Sequence, residues 1–180
     1  MAELDNLYRQ IIMEHYKNPR NKGLSDDPGY VTAHIKNPSC GDDITVQALL
    51  SDGVVKDCRH DGHGCSICCA SASVLTETVI GKNADEARIL ADNYLKMVSN
   101  KEFDATVDLE EAAVFAGVRQ FPARVKCASI AWQAFMRSIP HSSGQNYVLG
   151  DPQRVTDLEC SARKVVEYPV QPASQRLYHT

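Results

Sequence analysis

Cys40, Cys65 and Cys127 are the residues of this chain whose types and settings best suit chemistry. Each falls in a turn-rich segment or at the edge of an element, where a scaffold presents reactive groups. Cys40 lies in Asn37-Pro38-Ser39-Cys40-Gly41-Asp42, Cys65 in Gly62-His63-Gly64-Cys65, and Cys127 in Phe121-Pro122-Ala123-Arg124-Val125-Lys126-Cys127. Gly41 allows a tight turn, so the side chains of Cys40 and Asp42 could converge on one ion. Cys65 precedes a helix, whose first amides favour a thiolate. Arg124 and Lys126 would favour a thiolate at Cys127 in the same way. Three thiolates and one carboxylate make a set of four ligands suited to Zn²⁺, and the same soft ligands could hold iron and sulfide. Their spacing along the chain is not that of a zinc knuckle, so it leaves open a rival reading of three unrelated thiols.

Four other cysteines complete the count of seven. Cys68 and Cys69 follow Cys65 by three and four residues. They read as small residues on a buried helix face; the functional alternative is an extra ligand or a resolving thiol. Cys65 and Cys68 also form a Cys-x-x-Cys pair, prone to close as a disulfide on oxidation. Cys58, within a strand, and Cys160, near the C-terminus, read as structural. Of the six histidines, only His63 lies beside a candidate ligand, and a loop role suits it best. His15, His34, His60, His141 and His179 are scattered, Trp132 reads as core, and Lys17, Arg20 and Lys22 form a small basic surface.

The elements that must position these residues follow from periodicity. Leu4, Leu7, Tyr8, Ile11 and His15 recur at helical spacing and predict a helix over about 4–17. Val31–Lys36 predicts a strand, and the alternation of Ile44, Val46, Ala48 and Leu50 a second. Ser51-Asp52-Gly53 marks a hairpin into a third strand from Val54 to about Asp61. Helices are expected over Cys68–Ile80, over Ala84–Val98 behind an Asn83 cap, over a short stretch at 108–116 with Glu110 and Glu111 in its first turn, and from Pro122 to Ile139. The result is an α+β domain: an N-terminal helix, a three-stranded antiparallel sheet, and several helices packed on one face. It spans residues 1–140. Residues 141–180 lose sustained periodicity, with a short strand conceivable at Val165–Tyr168, and are expected to form a poorly ordered or loosely docked tail.

Composition narrows the class further. In 180 residues, 43% are hydrophobic and 23% charged, which suits one globular domain. The formal net charge is −4, without the basic stripe of a nucleic-acid binder. No apolar run approaches the roughly 18 residues of a membrane span. Met1–Asn6 lacks a signal-peptide pattern. With an odd cysteine count, that predicts a reducing, cytoplasmic setting without a disulfide framework.

Four segments together resemble the U-type iron–sulfur cluster assembly proteins, the family of IscU, SufU and the NifU N-terminal domain. They are Glu14–Gly23, Asn37–Asp42, Gly62–Ile67 and Phe121–Cys127, in family order. A long Cys65–Cys127 interval, and Lys126 where IscU-like members carry a histidine ligand, are similar to the zinc-binding SufU branch. The resemblance implies a Cys40–Asp42–Cys65–Cys127 metal site, with Zn²⁺ as the resident ion and Fe²⁺ or a [2Fe–2S] cluster held transiently. It implies that Cys40 accepts persulfide sulfur from a PLP-dependent, SufS-like cysteine desulfurase, with Arg124 steadying sulfur-bearing anions. A downstream cluster-assembly complex would receive the product. In such a reading the chain is a scaffold or carrier, and at most a zinc-dependent sulfur transferase. Two other functions compete: a structural zinc module for protein–protein contact, and a thiol enzyme with His63 as base.

Overall fold

The computed structural model describes residues 2–38, 40–139 and 166–169. Cys160, His141 and His179, and most of the expected tail, lie outside the described residues.

The first helix, α1 (Ala2–Lys17), is followed by three strands: β1 (Tyr30–Asn37), β2 (Asp42–Ser51) and β3 (Val54–His63). These pair antiparallel, as their short connections require. Asp52 and Gly53 both have positive φ, +52° and +73°, the mirror-image turn whose twist suits a two-residue hairpin. Alternation holds along β2, where Ile44, Val46 and Ala48 are buried. A fourth strand, β4 (Val166–Pro169), lies parallel against β1, so the sheet order is β3-β2-β1-β4. The three antiparallel strands expected from sequence are thus present, and the short strand offered at Val165–Tyr168 is found one residue on, parallel to β1 at the sheet edge.

The helices α2 (Ser66–Val79), α3 (Ala84–Val98) and α4 (Pro122–Ser138) follow. Asn83 caps α3 by accepting the Glu86 amide at 2.8 Å. Trp132 of α4 is core as expected: it is fully buried, stacked on Tyr94 with ring centroids 3.9 Å apart, and donates to Ser71 Oγ at 3.0 Å. Ser71 in turn donates to the Ala128 carbonyl at 2.7 Å, so one hydroxyl ties α2, α3 and α4 together.

Two expectations shift in detail. The short helix at 108–116 is a 3₁₀ helix, η1, over Glu110–Gln120. Leu109, Ala112, Phe115 and Val118 are its buried positions, every third residue, which is the period of a 3₁₀ turn. On α1 the buried face runs through Ile12 and His15, while Leu7 is left 47% exposed.

The turn after α1 is held from two sides. The backbone amide of Arg20 donates to Ser73 Oγ at 2.8 Å, and Asn21 Nδ2 donates to Thr76 Oγ1 at 2.9 Å, both on α2. From β3, buried His60 donates through Nε2 to the Arg20 carbonyl at 2.9 Å.

Candidate metal centre

One end of the sheet collects the ligands. Asn37 pairs with Asp42 across the β1–β2 hairpin, which leaves Cys40 in the connecting turn and exposed. Gly41 has φ +72°, and its amide donates to the Asn37 carbonyl at 3.0 Å, closing that turn. Asp42 is the first residue of β2 and is fully buried. Beside it, Asp43 pairs with His63 at the end of β3, and Cys65 stands just beyond as the N-cap of α2. Cys127, on the first turns of α4, is buried from the other side.

Donor atoms of Cys40, Asp42 and Cys127 all lie within 4.8 Å of one another. The Cys40 thiol donates to Asp42 Oδ2 at 2.8 Å, and Asp42 Oδ1 accepts the Cys65 backbone amide at 3.1 Å. Cys65 is partly exposed and lies beside Cys127, outside that tight trio. Two glycines shape this corner. A Cβ on residue 64 would sit 2.6 Å from Asp42 Oδ1 and 2.9 Å from Cys68 Sγ, and one on residue 62 would overlap the Asp43 carbonyl.

The electrostatics ask for a cation. Burial pushes the Cys127 thiol well above its ordinary value, and Asp42 and Cys65 beside it push the same way. Burial, then the bond to Asp42, also raises Cys40. A buried carboxylate with thiols crowded around it suits a bound divalent ion, which would stabilise every thiolate at once. In a tetrahedral zinc site, sulfurs about 2.3 Å from the metal stand roughly 3.8 Å apart, compatible with the spacing of the trio. The residues therefore fit zinc. Arg124 is exposed and close to Cys65 and Cys127, whose negative charge raises its guanidinium further.

The remaining candidates sort cleanly. Cys58 is buried in β3, and burial raises its thiol strongly. Cys68 is fully buried and Cys69 partly so, its sulfur 3.6 Å from the Gly64 carbonyl. His63 is exposed at the end of β3 and outside the ligand trio. Lys17 is exposed, while Arg20 pairs with Glu14 at 3.3 Å.

Two features escape a reading by spacing. Half-buried Tyr8 faces Cys65 and Arg124, with its ring edge-on to Phe115. Buried His15 bonds Ser73 Oγ at 2.8 Å and Glu111 Oε2 at 3.0 Å, with Glu77 3.9 Å away. Glu111 therefore does more than complement a helix end. The signals for His15 were its place on the apolar stripe of α1 and in the Glu14–Gly23 segment, and neither showed its partners.

Comparison with known proteins bears on the family of the chain. Residues 7–128 match the model of the NifU-like N-terminal domain. The zinc-dependent sulfurtransferase SufU of Bacillus subtilis is 41% identical over 145 residues, 81% of this chain and 97% of its own length. The scaffold protein IscU of Streptococcus pyogenes is 36% identical over 148 residues, 82% of this chain and 92% of that protein. Among solved structures, a candidate cluster-assembly scaffold of the SUF system from Fervidobacterium islandicum superposes with a TM-score of 0.64 at 33% identity. That match covers 73% of this chain and 96% of the other. A NifU-like N-terminal protein of Brucella abortus gives 0.63 at 28% identity, over 74% and 92%. From its motifs, its fold and these relatives, this chain belongs to the family of the NifU-like N-terminal domain.

Proposed function

We propose that this chain serves iron–sulfur cluster biogenesis by accepting persulfide sulfur at Cys40 from a PLP-dependent cysteine desulfurase. It then relays the sulfur, or holds a nascent [2Fe–2S] cluster as cargo, at a Cys40–Asp42–Cys65–Cys127 site in the cytoplasm. The observation that carries this reading is an exposed Cys40 thiol bonded at 2.8 Å to a buried carboxylate, with Cys127 in the same cluster. A thiol in that place can meet a partner's persulfide while remaining tied to the site. Support comes from the relative named a zinc-dependent sulfurtransferase.

Zinc, when bound, keeps the ligand thiolates deprotonated and orders the turn between β1 and β2. The chain's own residues do the rest. The Cys40 thiolate attacks the outer sulfur of the desulfurase persulfide; a new S–S bond forms at Cys40, and the desulfurase thiolate leaves. Asp42 accepts the hydrogen bond of the Cys40 thiol when that sulfur is protonated and off the metal, and so holds the turn in place. Cys65 and Cys127 anchor the ion, and Arg124 faces the incoming anionic sulfur.

A sulfur-transfer assay with the cognate desulfurase and cysteine, read by peptide mass, tests this. Wild-type protein should gain one sulfur on Cys40, and Cys40→Ala should fall to background while retaining its fold. Sulfur acceptance by Cys40→Ala at the wild-type rate would sink the assignment. A purely structural zinc module is the second reading. It calls for a closed set of inert ligands, and an exposed Cys40 argues against it. A thiol enzyme with His63 as base lacks support, because that ring lies outside the cluster.

A further inference from the structure

Cys68 is a thiol for which the sulfur-accepting reading has no use, yet its placement is specific. Cys65 is the N-cap of α2, and Cys68 is the third residue of the helix. The Cys65 carbonyl already accepts the Cys69 amide at 3.0 Å, so the turn from Cys65 to Cys69 is wound as helix. Side chains three apart on such a turn are neighbours, and this Cys-x-x-Cys arrangement is the one dithiol oxidoreductases close into a disulfide. Cys68 Sγ points back toward the helix start, 2.9 Å from where a Cβ on residue 64 would sit. It is fully buried and has no hydrogen-bond partner among the described residues. Asp42, Cys69, Cys65 and Cys127 all lie near enough for their charge to raise its thiol, after burial as the larger cause. A thiol so enclosed is shut off from solvent, whereas Cys65 is partly exposed. An accessible thiol with a buried thiol one turn behind it is the layout of an attacking and a resolving pair.

The geometry points to Cys65 and Cys68 as a dithiol that reduces sulfur delivered to this site to sulfide. The inference rests on the sulfur-accepting reading for the supply of that sulfur. Persulfide sulfur is at the oxidation state of the element, whereas the sulfide of a cluster carries two more electrons, and the pair provides both. The Cys65 thiolate attacks the inner sulfur of the Cys40 persulfide. A Cys40–Cys65 disulfide forms, the bond to the outer sulfur breaks, and HS⁻ leaves with the electron pair. Cys68 then attacks the Cys65 sulfur, giving a Cys65–Cys68 disulfide and freeing Cys40 as its thiol. In balance, one persulfide and two thiols become one thiol, one disulfide and one H₂S. Each chain turns over once unless a dithiol reductant reopens the disulfide, and the oxidised pair removes one zinc ligand.

The test charges the zinc-loaded full chain with its desulfurase and cysteine, strips small molecules, and follows sulfide release and peptide masses without added reductant. Wild type should release sulfide in step with a Cys65–Cys68 peptide lighter by two hydrogens, and should yield its zinc to a chromogenic chelator. Cys68→Ala should still release its one sulfide but stop as a Cys40–Cys65 disulfide, with Cys40 never recovered as a thiol, while Cys69→Ala behaves as wild type. Zinc content of the reduced Cys68→Ala protein establishes that it folds. Recovery of a free Cys40 thiol by Cys68→Ala after its sulfide has left would overturn the proposal, as would a wild-type disulfide mapped to another pair. If no chain is charged, the failure belongs to the sulfur-accepting reading. Titration with a glutathione disulfide buffer then decides for the pair: Cys65–Cys68 as the first disulfide supports it, and any other first disulfide refutes it.

Discussion

At the scale of single residues, the corner around Asp42 leaves no spare volume. A methyl group at residue 64 would collide with a carboxylate oxygen and with the Cys68 sulfur together. Gly64→Ala is therefore expected to cost about 1–3 kcal/mol of stability and to loosen metal binding, checked by thermal melts and zinc titration. Asp42→Ala should weaken zinc more than tenfold by deleting a ligand outright, with competitive chelation as the measurement. If Asp42→Ala binds zinc as wild type does, the carboxylate is no ligand. The nearness of Cys40 and Asp42 was legible in the sequence, because Gly41 between them allows a tight turn, whereas the spacing alone left three unrelated thiols as a rival reading. The packing of Cys68 was legible only as a buried position. Its direction depends on the missing side chain at residue 64, a contact between neighbours that periodicity does not encode.

At the scale of elements, two polar ties join pieces that the apolar core packs together. Ser71 links α2 to α3 and α4, and its removal leaves the Trp132 N–H in the core without its acceptor. Ser71→Ala should lower unfolding free energy by about 1–3 kcal/mol, measured by denaturant titration. His60 links β3 to the turn after α1. Burial holds its imidazole below the ordinary value, so the unfolded chain takes up this proton first as pH falls. Its contribution is complete above the unfolded value of 6.5 and is lost as pH drops from there toward the folded one. A neutral His60→Gln variant should show a flatter stability profile over that window. The existence and type of most elements followed from periods of two and of roughly 3.6. The 3₁₀ segment was read as an ordinary helix because its threefold burial is distinct only once Leu109, Ala112, Phe115 and Val118 are counted together. The short β4 was legible as a strand at Val165–Tyr168, one residue early, but four residues are too few to tell its partner or direction.

At the scale of the molecule, the four proposed ligands come from a hairpin turn, a strand, a helix cap and a second helix distant in sequence. A metal that binds only the folded arrangement stabilises it by mass action, about 1.4 kcal/mol for each tenfold excess of free metal over the dissociation constant. Stripping the metal with a chelator should therefore lower the Tm of the wild-type protein. Asp42→Ala should show a smaller drop, and an unchanged wild-type Tm would mean that the site is not coupled to the fold.

The two-residue turn at Asp52 and Gly53 also sets an order of events in folding. Asp43 and His63 are cross-strand partners at the far end of the β2–β3 hairpin. Asp42 and the Cys65 amide, just beyond them, are therefore brought together by zipping one local hairpin, whereas Cys127 arrives only after a long loop has closed. Local closure is fast and distant closure slow. The carboxylate half of the site should be protected early in pulse-labelled hydrogen exchange, ahead of the amides of α4, and a growing chain would carry that half-site before its last ligand had been synthesised.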